Sequence, residues 1–210
     1  NPEEYGAITL FMAGVAFLMP LIGLSLEGVA RVIYHKEAKN LFPIYVGNIV
    51  SVFIVTFILA LILAVSFSGI ISEVMGIDRK WVLGIVVASG IQFIILLRAT
   101  IYQTSRDVKK FSILQLSRAF LDMAFVLILV VYLSGKEDAR ISAYLLSLIL
   151  VGCLSLVLLY KDDLLKMHWD KSYIRRSLDF SLPLLPHTVA LSAAFTLDKL
   201  IMSSLFSLDF

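Results

Sequence analysis

The feature that most limits what this chain can become is the length of its uncharged apolar runs. From Asn40 to Ser72 no Asp, Glu, Lys or Arg interrupts the sequence, and Ile141 to Tyr160 is equally free of charge. About 20 apolar residues in a helix rising about 1.5 Å per residue span a ~30 Å hydrocarbon layer. Across the 210 residues, 60% are hydrophobic and 16% charged, too few charges to clothe a soluble domain of this size. The apolar runs show no strict alternation and far exceed the roughly 10 residues of a barrel strand. Helices that satisfy their own backbone are the remaining solution, so the chain reads as an all-α integral membrane protein. With 11 Gly, 5 Pro and a single Cys it has neither a collagen-like or low-complexity composition nor a disulfide framework. A net charge of +2 gives no case for nucleic acid as a partner.

Six transmembrane helices are predicted. They cover Tyr5–Leu26, a span within Asn40–Ser72 that includes a turn near Ser66–Ser72, Trp81–Ile101, Phe111–Leu133, Ile141–Tyr160 and Phe180–Phe206. Glu3 and Glu4 stand where a signal peptide carries basic residues, so the first block is read as a retained helix. The loops Arg31–Pro43, Tyr102–Lys110 and Lys161–Ser177 hold eleven Lys and Arg, against four in Asn1–Glu4, Ser66–Lys80 and Ser134–Arg140. By the positive-inside rule the first set is cytoplasmic and residue 1 periplasmic. A first span entered from outside, with Asn1 in place of Met, leads us to expect a piece cut from a longer multi-span protein.

Ionisable groups inside spans are the informative residues, because each costs about 2.5–3.5 kcal/mol at mid-bilayer on insertion scales. Arg98, Arg118, Asp122, Asp198 and Lys199 lie within spans, and Glu27 and Arg31 at the end of the first. Arg118 and Asp122, four residues apart, share a helix face, which makes an intrahelical ion pair available; Glu27 and Arg31 repeat the spacing. Such pairs either neutralise themselves for insertion and lock helices together, or line a polar cavity in which cations meet an anionic substrate and carboxylates bind a coupling ion. Arg98, near a span end, either snorkels to lipid phosphates or joins that cavity. The last span opens Ser181-Leu-Pro-Leu-Leu-Pro-His187, whose two prolines interrupt or kink it and free carbonyls. His187 and Asp198 fall on one face about 16 Å apart, placed either for a proton path or for contacts to neighbouring helices. His35 and His168 lack Cys or carboxylate partners at ligand spacing, so no metal and no cofactor is expected.

These motifs have a counterpart in a known family. Asn1-Pro-Glu-Glu-Tyr-Gly6, Leu21-Ile-Gly-Leu-Ser-Leu-Glu-Gly-Val-Ala-Arg31, the Ser181–His187 element and Leu197-Asp-Lys-Leu-Ile201 resemble the Wzx-type polysaccharide flippases of the multidrug/oligosaccharidyl-lipid/polysaccharide exporter superfamily. The resemblance runs over essentially the whole chain. It implies a two-lobed transporter of 12 to 14 helices, of which residues 1–177 would be helices two to six of the N-terminal lobe and 178–210 the truncated first helix of the C-terminal lobe. The implied task is to turn an undecaprenyl-pyrophosphate-linked oligosaccharide from the cytoplasmic to the periplasmic leaflet of the bacterial inner membrane, for O-antigen or capsule synthesis. No enzymatic activity is implied, and the polysaccharide polymerase machinery is an expected partner. Arg31, Arg98, Arg118 and Lys199 would meet the pyrophosphate; Glu27, Asp122, Asp198 and His187 would serve ion coupling or charge pairing. A cation-coupled multidrug exporter of the same superfamily is the alternative, and a membrane enzyme acting on the same glycans would need a large periplasmic loop not seen in this portion.

Overall fold

Apolar runs that must satisfy their own backbone become helices wherever no breaker intervenes, and the computed structural model of the chain is built of them. It describes residues 2–75, 77–132, 137–166 and 169–206, with the side chains of 2–5, 7, 74, 75, 130–132, 137 and 195–206 outside the description. In chain order these residues form α1 (Pro2–Gly23), α2 (Leu26–Lys36), α3 (Phe42–Met75), α4 (Arg79–Thr104), α5 (Val108–Tyr132), α6 (Glu137–Lys161) and α7 (Lys171–Phe206). No strand occurs among them. Four helices are long and apolar enough to cross a membrane, and α1 with α2 makes a fifth span if the bent pair is counted as one. The sixth predicted span lies on α7 and runs into residues whose side chains are not described.

Two expectations are corrected. The first span is broken rather than continuous over Tyr5–Leu26: α1 stops at Gly23, Leu24 and Ser25 take the left-handed conformation (φ 48° and 54°), and α2 resumes at a 48° bend. Pro20 has already removed one donor from the last turn of α1. The carbonyl of Ile22 at the broken end accepts a hydrogen bond from Thr56 Oγ1 of α3 at 2.6 Å, and Ser25 Oγ bonds Thr188 Oγ1 of α7 at 2.6 Å. Polar partners on neighbouring helices thus satisfy what the break exposes.

The turn expected at Ser66–Ser72 is also absent. α3 stays helical to Met75, and Ser68 Oγ is satisfied inside it by bonding back to the Val65 carbonyl. Small polar residues in an apolar run are absorbed by the helix rather than ending it. The chain reverses only beyond Met75, where Ser72 Oγ donates to the Ile77 carbonyl at 2.6 Å.

α4 is the central element. Of its apolar window 67% is buried within the bundle, against 28% for α3, 39% for α6 and 6% for α5, which leaves α5 at the periphery. Phe53, Phe57 and Phe93 stack between α3 and α4, with Phe53 and Phe93 centroids 4.6 Å apart. Close approach needs small residues: α4 turns Ser89 and Gly90 inward, and Ser89 Oγ bonds its own Ile85 carbonyl. The expected alternation of ends holds. At one end Asn48 of α3 accepts from the Asp170 backbone N–H, Arg176 of α7 lies 3.7 Å from Glu37, and Arg98 in the C-terminal part of α4 pairs with Asp162 just past the end of α6. At the other, Lys80 and Trp81 of α4 both bond Asp138 of α6. The Lys- and Arg-rich loops therefore share one end of the bundle.

Gly23 marks the tightest joint, since a Cβ there would lie 2.3 Å from Phe93 Cδ2, and Phe93 is pinned by its stack on Phe53. Gly23→Ala is expected to cost about 1–3 kcal/mol through overpacking. Gly69→Ala, whose Cβ would meet nothing within 4 Å, should be neutral or stabilising by about 0.5–1 kcal/mol. Thermal unfolding of the two variants of the full-length protein in detergent measures the difference; equal melting temperatures would show that the α1–α4 joint is looser than its geometry.

Candidate functional site

The apolar sequence leaves few polar groups in the middle of the bundle, and the structure gathers them on facing turns. Gln92 is central in α4, Arg118 and Asp122 stand on successive turns of α5, and Arg140 and Tyr144 on successive turns of α6. Because α5 and α6 run antiparallel with these pairs in register, Arg118 comes opposite Tyr144 and Asp122 opposite Arg140. Gln92 Oε1 accepts two hydrogen bonds, from Arg118 at 2.9 Å and from the Tyr144 hydroxyl at 3.0 Å. Asp122 Oδ2 lies 3.7 Å from the Arg140 guanidinium, while its Oδ1 is buried without a hydrogen bond.

The intrahelical Arg118–Asp122 pair is thus corrected: the shared face is real, but each side chain reaches a different neighbouring helix. No carboxylate lies within 4 Å of Arg118 among the described residues, so its charge is met by a neutral amide. A search confined to ionisable groups passes over Gln92 and Tyr144, although Gln92 was legible as the lone amide within the Trp81–Ile101 span. On the sequence alone Arg140 falls in the Ser134–Arg140 loop.

Arg98 does not reach toward lipid. It is fully buried, donates to Asp162 Oδ2 of α6 and to the Tyr102 hydroxyl at 2.7 Å, and lies 4.1 Å above the Tyr102 ring. Its Nε and second terminal nitrogen have no hydrogen-bond partner. Helix α4 brings Arg98 inward because both flanking turns are core, with Leu97 and Ile101 in the apolar cluster. The partner, 64 residues later, follows α6 past its last turn, which ends on Asp163 in the left-handed conformation (φ 52°).

The remaining sequence-chosen residues are scattered. Glu27 and Arg31 lie a turn apart on α2 within electrostatic reach but without an ion pair inside 4 Å. His187 is exposed on α7, which continues helical through Pro183 and Pro186 from Lys171 to Phe206. The prolines do not interrupt it; both are exposed, and the carbonyls they leave free lose only one bond each. Asp198 and Lys199 belong to α7, with side chains outside the described residues. The structure therefore brings Arg118 and Asp122 into one network and leaves Arg31, Arg98, Glu27 and His187 apart from it.

Residues 1–209 match the family described as polysaccharide biosynthesis protein. No curated protein and no solved structure gave a match.

The Arg98–Asp162 pair makes its own prediction. Asp162→Ala strands a buried guanidinium, and the loss is expected below the ~3–5 kcal/mol of a fully buried pair because the Asp162 side chain is 41% exposed. Arg98→Met combined with Asp162→Ala should recover most of that loss. A double-mutant cycle of unfolding free energies decides the matter, and strictly additive losses would count against coupling.

Proposed function

Because the chain belongs to the polysaccharide biosynthesis protein family and folds as a bundle of membrane-length helices, we propose that it forms part of a flippase for an undecaprenyl-pyrophosphate-linked oligosaccharide. Export runs from the cytoplasmic to the periplasmic leaflet of the inner membrane and feeds O-antigen or capsule synthesis, with the polymerase machinery as downstream partner. The basic end of the bundle faces the cytoplasm on this reading. The observation that carries it is Arg118: a guanidinium in mid-span, hydrogen-bonded to Gln92 and uncancelled by a carboxylate, suits a diphosphate that must cross hydrocarbon. Residues 1–177 are read as five helices of one lobe and 178–210 as the start of the second, the two rocking about the substrate in alternating access.

An exporter of organic cations would instead recruit Asp122, whose Oδ1 is buried without a partner, but Arg140 already occupies the place a cation would take. Translocation is not enzymatic on this proposal. Glu27, Asp122, Asp198 and His187 are the groups proposed for ion coupling; an unchanged rate in proteoliposomes with every gradient collapsed would remove them.

Deleting the full-length gene is expected to accumulate lipid-linked oligosaccharide in the cytoplasmic leaflet and to deplete surface polysaccharide. Unchanged amounts of both would sink the export reading. In the complemented strain Arg118→Ala should lower export by about tenfold or more, the worth of a hydrogen bond to a charged group, whereas Arg118→Lys retains the charge and most of the activity. Wild-type export from both variants would remove Arg118 from the site.

A further inference from the structure

At the basic end of the bundle, away from the mid-span network, the C-terminal halves of α2 and α4 and the turn after α4 flank an open cavity of about 300 Å³ lined by Arg31, His35, Gln103, Thr104 and Arg106, all but Thr104 exposed. Among the described residues no carboxylate lines it. Among the described residues the side chains of Arg31, His35 and Arg106 form no hydrogen bond and no ion pair; Glu27 acts on Arg31 only at longer range. Asp107, the acid adjoining the cavity, is committed elsewhere: its Oδ1 accepts the Lys110 backbone N–H at 3.1 Å and its Oδ2 lies 3.2 Å from Lys110 Nζ, which together hold its carboxyl below the usual range.

Arg106 carries the argument further. Helix α4 ends in a Schellman motif, with the Asp107 N–H bonded to the Tyr102 carbonyl at 3.0 Å and the Arg106 N–H to the Gln103 carbonyl at 3.1 Å. The residue that makes the second of these bonds must be left-handed, and that place normally belongs to glycine. Arg106 fills it at φ 59°, a conformation that its Cβ makes unfavourable. From this unfavourable backbone position the exposed Arg106 guanidinium, without a partner, faces the open cavity. Two guanidiniums, an imidazole and an amide converging on one space match the oxygens of a phosphate.

We propose that this cavity binds the phosphate group of an anionic ligand at the basic end of the bundle. The ligand is either the diphosphate of the exported lipid, a choice that rests on the flippase reading, or the head group of a bilayer phospholipid. The full-length protein in phosphatidylcholine nanodiscs, titrated with inorganic pyrophosphate, tests the site directly. Arg106→Gly and Arg31→Gln should each weaken binding by about tenfold or more. Without ligand, Arg106→Gly should melt at or above the parent, since glycine relieves the turn. Lys109→Gln removes the same charge nearby without touching the cavity and should bind as the parent does. The same variants are compared for enrichment of phosphatidylglycerol from mixed-lipid nanodiscs. Variant-sensitive binding of pyrophosphate alone assigns the diphosphate, and variant-sensitive enrichment of phosphatidylglycerol assigns the phospholipid head group. The proposal is overturned if neither probe distinguishes Arg106→Gly and Arg31→Gln from the parent, or if Lys109→Gln weakens binding as much as they do. A gene deletion that leaves lipid-linked glycan unchanged would defeat the export reading while leaving these binding results intact.

Discussion

Hydrocarbon offers no hydrogen bond, so each polar side chain in the bundle must find its partner in protein, and the arrangement of the helices follows from where it does. Several hydroxyls solve the problem within their own helix. Ser51 bonds the Gly47 carbonyl, Thr104 that of Thr100 and Ser155 that of Val151, each one turn back. These residues leave the packing free. Guanidiniums and amides have too many donors or acceptors for one turn of helix to satisfy, and they bind helices to each other. Arg98 ties α4 to the end of α6, and Gln92 collects α5 and α6 onto α4. The central position of α4 is therefore chemical as well as geometric.

The break in the first span obeys the same constraint and sets the shape of one end of the bundle. Two left-handed residues without glycine are costly, and they persist because α3 supplies Thr56 to the freed carbonyl while α7 supplies Thr188 to Ser25. The 48° bend then swings α2 across the end of α4. Its apolar face, with Leu26, Val29 and Ala30 buried, holds it there and turns Arg31 and His35 toward the last turn of α4. The α1–α2 break thus determines which basic residues share a space.

Class, approximate spans and the sharing of one end by the basic loops were legible because they depend on composition and length, which hydrocarbon reads directly. Local exceptions were not. Nothing in Leu24-Ser25 announces a left-handed break, since neither residue favours that conformation and both are held there by side chains more than 30 residues away. Conversely the Ser66–Ser72 stretch carries turn residues yet stays helical, with the Ser68 hydroxyl satisfied by its own helix. Helical spacing correctly put Arg118 and Asp122 on one face, but facing is not pairing. Which neighbour each reaches depends on the register of α6, and that is fixed by tertiary packing.

That register leaves the mid-span network with an unequal charge. Asp122 and Arg140 offset each other, whereas Arg118 is bonded to a neutral amide, so the three ionised groups carry one net positive charge. A structural network has no reason to keep such an excess. Replacing Arg118 by an apolar residue and leaving Gln92 to Tyr144 would spare the desolvation of a guanidinium. On the proposed reading the excess serves a negative group that comes and goes, since the empty site then keeps a charge that the filled site neutralises. A diphosphate arriving at Arg118 would satisfy donors that the amide cannot. The balance that makes this arrangement poor as pure architecture is the one expected of a path for an anion.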